Sequence, residues 1–403
     1  MATLMLTTGP LPAGAAEREQ KHPGRFKVGP VYLTPKLALK NAGVDTNVFN
    51  QRTGEIPDTS IILSPTLVAA LPVGRRLRLT GEGHVDFNYF RRQSSERSTD
   101  FGGDGRAELD FGPFTFFGGG GGGQSRQRFS IDVDQRVLRH ERWATAGLKL
   151  TPSPRLSATL SASGRVYEFG SLLVGGFNVK ENLDRNELTA SLLLRSAVTR
   201  RTAVVASADV IEDRFLRQAR SASRLTHSRR YLAGFEFGQK TFIRGRLLAG
   251  VREFPASASA PPYRGPALAV SSSVPFLQYG RLTVLADRDI YYSVSPGIVA
   301  SDSVRNTYVS TRLSAEVAVS LPFSLLGRGS FGLEEAKYLL PYPKGEGFAP
   351  RVDHLWTAGA SVLRAFRTGV RVGGGVQWGR RVSSFPIFSY EGLRYGVQAE
   401  IVP

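Results

Sequence analysis

Three ionisable side chains, Glu82, His84 and Asp86, occupy alternate positions in the segment from Arg75 to Phe90. Successive side chains of an extended strand point to opposite faces, so this spacing gathers all three on one face. Two carboxylates flanking a bond could cleave a glycoside, and a histidine beside a serine could hydrolyse a lipid ester. A lipid-cleaving pair must face lipid, and His84 shares the polar parity that points into an interior. His140 and His354 lie near expected strand ends. Neighbouring carboxylates are ordinary on any polar strand face, so no catalytic residue is assigned and the protein is not expected to be an enzyme. The chain has no cysteine and five histidines, which excludes thiolate chemistry and leaves little for a metal centre. No metal or cofactor is expected. The run Gly118 to Gly123 lacks the Lys-Ser/Thr and the following helix of a phosphate-binding loop.

Basic side chains are more numerous. Lys and Arg total 52 against 34 acidic residues, a net charge of +18. On the polar parity fall Lys36, Lys40, Arg78, Arg165, Arg195, Arg230, Arg244, Arg246, Arg312, Arg328, Arg371 and Arg394, interleaved with Glu82, His84, Asp86, Glu316 and Glu400. Two readings stay open for this set. It is a salt-bridged ladder that stiffens a wall, or a path of successive weak sites for an anionic polymer. On the second reading, neutralising Arg244, Arg246 and Arg312 together lowers anion selectivity. A nucleic-acid binder would gather its bases on one soluble face, whereas here they are dispersed, so no nucleic-acid partner is expected.

The elements that carry these residues are long and two-periodic. Leu77, Leu79, Val85, Phe87 and Tyr89 alternate with Arg78, Thr80, Glu82, His84, Asp86 and Asn88. The alternation persists for about fifteen residues, against roughly five or six in an average strand, and is long enough to cross a bilayer at a tilt. It recurs from Leu156 to Phe169, Val309 to Leu321, Val370 to Arg381 and Leu393 to Val402. Weaker alternation marks residues 31–43, 59–71, 98–111, 114–129, 139–151, 183–196, 201–215, 223–237, 240–254, 263–274, 279–293, 323–338 and 351–363. Together these predict about eighteen strands (16–18), an even number, as in bacterial barrels. No run approaches the ~20 apolar residues of a membrane-spanning helix.

Connections alternate in length. Short ones lie at Leu71 to Gly74, Gly112-Pro113, Thr151 to Pro154, Val198 to Arg200, Gly238-Gln239, Leu321-Pro322 and Ala365 to Arg367; long ones at Asp45 to Asp58, Arg91 to Ser98, Gly170 to Glu181, Arg217 to Ser223, Ser293 to Arg305 and Leu340 to Pro350. A soluble β-sandwich has no need of this regularity. The fold expected is all-β: a transmembrane antiparallel up-and-down β-barrel over residues 23–403, integral to a bacterial outer membrane. Residues 1–22 read as an export-signal remnant or a disordered N-terminus. Aromatics at the strand ends before long loops (Tyr89-Phe90, Tyr167, Phe169, Phe215, Phe254, Tyr291-Tyr292 and Tyr338) are expected to form an outer girdle in lipid and lipopolysaccharide. The glycines from Gly118 to Gly123 relieve crowding in the sheet or leave room for a loop that plugs the lumen.

The first strands also carry a motif. Leu33-Thr34-Pro35-Lys36-Leu37-Ala38-Leu39, then Gly43-Val44-Asp45-Thr46-Asn47-Val48-Phe49, then Leu63-Ser64-Pro65-Thr66-Leu67 resemble the opening of the beta-barrel porin-2 family. The resemblance implies an outer-membrane barrel associated with exopolysaccharide production. It also implies a channel that exports an anionic polysaccharide received from a periplasmic polysaccharide-export protein. The alternatives are a general porin-like channel for small solutes and, more distantly, a lipid-modifying enzyme.

Overall fold

The computed structural model describes residues 25–128, 131, 135–174, 177–217, 225–238, 242–255, 261–276, 279–293, 307–344, 347–366 and 369–401. The expected export signal at 1–22 lies outside them, as do most of the expected connections at 217–223 and 293–305.

Among the described residues, eighteen long strands pair antiparallel in chain order and close on themselves. They are β1 (Val31–Asp45), β2 (Asp58–Val73), β3 (Leu77–Phe90), β4 (Ser98–Phe111), β5 (Phe114–Gln127), β6 (Val137–Ser153), β7 (Leu156–Phe169), β8 (Arg185–Ala197) and β9 (Thr202–Phe215). The wall continues through β10 (Leu225–Phe237), β11 (Arg244–Phe254), β12 (Tyr263–Phe276), β13 (Gly280–Tyr292), β14 (Thr307–Leu321), β15 (Leu325–Tyr338), β16 (Val352–Ala365), β17 (Val370–Ser383) and β18 (Tyr390–Ile401). The last strand pairs with the first from Leu37↔Ile401 to Asp45↔Arg394. That closure leaves no unpaired sheet edge, which a strand wall in hydrocarbon requires. A bulge at Lys40, between Leu39 and Asn41, puts Lys36 before it and Asn41, Gly43 and Asp45 after it on the same inner face.

Connections alternate as expected, with tight turns such as 112–113 and 322–324 at one end and long connections such as 46–57 and 170–184 at the other. Gly112 in the two-residue turn has φ +56°, a conformation glycine adopts without strain. Within the 170–184 connection a short helix, α1 (Val179–Leu183), is capped by the Asn178 side chain, which accepts from the Lys180 amide at 3.0 Å.

The outer face carries an apolar belt. On β9, Val204, Ala206, Ala208 and Val210 give way to Glu212 and Arg214; on β10, Phe235, Ala233 and Tyr231 give way to Arg229 and His227. Six residues of strand cover about 20 Å, close to the ~25 Å apolar band of an outer-membrane barrel once tilt and side chains are counted. Among the described residues no helix is long and apolar enough to cross a membrane, so crossing falls to the strands.

The expected aromatic girdle is corrected. Only Tyr89 of that set stands exposed on the outside, whereas Phe90, Tyr167, Phe169, Phe215, Phe254 and Tyr338 are buried. Tyr291 and Tyr292 join them in the interior, Tyr292 edge-on to Phe215 at 5.0 Å and Tyr291 stacked on Tyr308 at 5.7 Å. At the long-loop end these rings fill the barrel mouth. The physical reason is parity: Tyr167 follows Arg165 by two residues and so shares its inward face.

A second correction concerns the inner wall from β8 to β12. Its middle is apolar: Leu193, Val205, Leu232, Leu248 and Ala267 form one buried cluster. Side chains there also span non-neighbouring strands. Arg195 on β8 reaches Glu236 on β10 at 2.7 Å, Arg230 on β10 reaches Asp289 on β13 at 3.0 Å, and Tyr292 on β13 donates to Asp213 on β9 at 2.9 Å. This side of the barrel is packed.

Candidate functional site

The open side lies between β1, β3–β6 and β15–β18. It encloses a cavity of about 590 Å³, lined among others by Lys40, His84, Asp86, Asp100, Asp104, Arg136, Arg139, Arg328, Arg394 and Glu400. The strand register builds its acidic side, because Glu82 sits directly opposite Asp104 and Asp86 opposite Asp100, with His84 opposite Gly102 between them. Like charges facing each other across strands destabilise a sheet. Lys40 relieves one pair, its Nζ 2.9 Å from the Asp86 carboxylate, and Asp100 accepts from the Arg126 amide and the Asn88 side chain. Glu82 and Asp104 form no ion pair with a lysine or arginine among the described residues, and His84 is the base beside them. A Cβ at Gly102 would stand 2.9 Å from His84 Cε1, so the glycine makes room for the imidazole.

The basic side is made by Arg128, Arg136, Arg139 and Arg394. Arg394 lies 2.5 Å from Asp45, Arg136 3.5 Å from Glu96 and 4.5 Å above the Phe90 ring, and Arg139 is paired with Glu141. Arg128 donates to the Val48 carbonyl. Burial first, and then the positive charges of Arg128 and Arg394, bring the Arg136 guanidinium down to about 10. It remains charged at neutral pH. Acids and bases thus face each other across the cavity, a field that orients polar solutes rather than attracting one sign alone.

Between β5 and β6, the Ile131 side chain lies inside the barrel. Ile131 is buried against Tyr308, Ala336 and Tyr338 on the far wall, with Tyr291 and Leu355 beside them. This contact is not with the glycine strand, so it does not supply the loop that the glycine run was expected to make room for. The glycine strand itself fronts the cavity, with Gly122 and Gly123 in its lining.

The residues selected from sequence occupy inward register positions, but most are spent on partners. Arg78 lies 2.9 Å from Glu108, Arg165 3.3 Å from Glu141, and Arg195 and Arg246 share Glu236. Arg230 bridges Asp209 and Asp289, Arg312 lies 2.8 Å from Asp287, and Arg328 and Arg371 hold Glu400 at 2.8 and 3.1 Å. Lys36, Glu82, His84, Arg244 and Glu316 of that set have no ion pair among the described residues. The cavity brings together Lys40, His84, Asp86, Arg328, Arg394 and Glu400; Arg195, Arg230, Arg246 and Arg312 belong to the packed half. Sequence reasoning missed Asp100, Asp104 and Arg139, although each lies at an inward position of a segment recognised as a strand. It also missed a fully buried cluster in which Arg351 and Arg381 hold Asp353 at 2.9 and 2.6 Å.

Of the enzymatic candidates, His84 faces the lumen. His354 faces outward, stacked on Trp356 at 5.7 Å, and the outward His227 lies 3.6 Å from Glu212. Among the described residues no group of three or more His, Asp or Glu side chains could hold a metal ion.

No protein-family model matches the sequence, and no curated protein matches it. Among solved structures, the chain is similar to OpdK of Pseudomonas aeruginosa, crystallised with vanillate, at 10% identity and TM-score 0.47, covering 92% of this chain and 99% of that one. It is similar to OccAB4 of Acinetobacter baumannii at 9% identity and TM-score 0.45, covering 92% and 98%. A ferric enterobactin receptor mutant of Pseudomonas aeruginosa, in complex with enterobactin, gives 8% identity and TM-score 0.46, covering 92% and 81%. Scores below 0.5 describe likeness in outline alone. The closed wall and its apolar belt make this chain an integral outer-membrane β-barrel with a channel-like lumen.

Proposed function

We propose that the barrel is a porin-like channel for small polar solutes. The observation that carries this reading is the cavity of about 590 Å³ with carboxylates on β3 and β4 facing arginines on the other side. Successive weak charged sites favour entry without retention, which conduction requires. The packed half, spanned by Arg195–Glu236 and Arg230–Asp289, takes up part of the cross-section, which favours small solutes over a polymer. Proteoliposome swelling with a graded series of sugars and amino acids tests it. Rapid swelling with the smallest solutes and a sharp size cut-off is expected; no swelling above protein-free vesicles overturns the reading. No catalytic step is part of it.

Export of an anionic exopolysaccharide, with a periplasmic export protein as partner, draws on the strand-and-loop motif around Asp45-Thr46-Asn47-Val48-Phe49. Deletion distinguishes the two readings. Loss of surface polysaccharide supports export, and slowed solute uptake with intact polysaccharide supports the porin.

A further inference from the structure

Most arginines inside the barrel are matched by carboxylates, whereas Arg214 and Arg229 on the outside are not. Arg214 on β9 and Arg229 on β10 are exposed, face outward on the parity of Val210 and Tyr231, and have no ion-pair partner among the described residues. They stand where the apolar belt ends. An unpaired guanidinium at the edge of hydrocarbon is costly unless an anion meets it, and a phosphate meets it best, through paired N–H···O bonds.

The surrounding face adds to the case. The register sets Val210, Arg229, Glu253 and Arg264 in one row across β9 to β12, with Arg264 3.3 Å from Glu253. Glu212 is engaged with His227 at 3.6 Å. Three arginines and a histidine thus share two carboxylates. Val210 in that row, Tyr231 and Val251 next below it, and Leu247 further down are exposed apolar side chains. Arg214 lies four residues beyond Val210, the partner of Arg229, so the two guanidinium stems are about 13 Å apart along the strands.

We propose that Arg214 and Arg229, flanked by Arg264, bind the headgroup of a doubly phosphorylated outer-leaflet glycolipid, with its acyl chains laid over Val210, Tyr231 and Val251. Each arginine takes one phosphate. The site is independent of what passes through the lumen.

The test uses the full-length protein in detergent, incubated with bisphosphorylated lipid A, a phosphate-free lipid of the same acyl chains, or inorganic phosphate, and read by native mass spectrometry. Wild-type protein should retain bisphosphorylated lipid A at least tenfold better than the phosphate-free lipid, and millimolar inorganic phosphate should not displace it. R214Q/R229Q should lose most of that preference, with migration on unheated gels reporting that the barrel is folded. R214K/R229K, which keeps the charge, should retain part of it. Equal retention of the two lipids by the wild type, displacement by inorganic phosphate, or unchanged preference in a folded R214Q/R229Q variant each overturns the proposal. The wild-type comparison decides the matter even if a variant fails to fold.

Discussion

The Asp45 carboxylate lies 2.5 Å from Nη2 of Arg394, joining the first barrel strand to the last. Around it the 46–57 loop is sewn to β18. The Thr46 amide donates to the Leu393 carbonyl at 2.9 Å, the Leu393 amide donates to Thr46 Oγ1 at 2.9 Å, and Asn47 Nδ2 donates to the Glu391 carbonyl at 2.8 Å. The motif that resembles a family is thus the clasp of the barrel seam.

Breaking that clasp should weaken the whole barrel. Both side chains are over nine-tenths buried, at 9% and 7% exposure, so Asp45→Asn is expected to cost about 3 kcal/mol by leaving Arg394 uncompensated. Urea unfolding in detergent, run on D45N, R394Q and the double variant, checks it. Double-variant losses equal to the sum of the singles would remove the coupling and with it the clasp.

Gly43→Val should block closure altogether. Gly43 faces Gly396 across the seam, and even a Cβ there would lie 1.9 Å from the Tyr395 carbonyl oxygen. Absence of the compact band on unheated gels is the expected result, while a normal band would show that the seam can shift to accept a side chain.

The packed half should contribute stability rather than conduction. Leu248→Ala is expected to cost about 3 kcal/mol, the usual loss for a buried leucine, and to leave single-channel conductance unchanged. A stable but more conductive variant would mean that the β8–β12 interior is part of the path.

Ile131, between β5 and β6, packs on the opposite wall. Ile131→Gly removes its contact with Tyr308 and Tyr338, so conductance should rise and its fluctuations increase in planar-bilayer recordings. Unaltered traces would argue that the connection does not constrict the lumen.

Ion selectivity should respond to the cavity side chains in opposite senses. D86N/D100N/D104N should move reversal potentials toward anion preference, and R139Q/R328Q toward cation preference. R246Q/R312Q, by contrast, should lower stability first, because it takes from Asp287 its arginine and from Glu236 one of the two it shares. Equal selectivity shifts from the two arginine pairs would contradict the division of the lumen.

By itself the sequence determined the wall. Alternation in the segment around Glu82, His84 and Asp86 reports which side of a strand meets lipid and which does not, a local property that needs no knowledge of neighbours. Strand number and the rhythm of turns followed from the same periodicity. Where alternation failed, as at Leu192-Leu193-Leu194, Val204-Val205 and Leu247-Leu248, the cause lay in three dimensions: those strands have apolar neighbours on both faces. Which arginines are spent on structure and which front the cavity was likewise illegible. Arg230 meets Asp289 three strands away, and Asp104 meets Glu82 only through the register of β3 on β4. Parity fixes the face of a side chain, whereas its partner depends on register and on the curvature of a closed wall. Those are properties of the assembled barrel, and only the tertiary structure decided them.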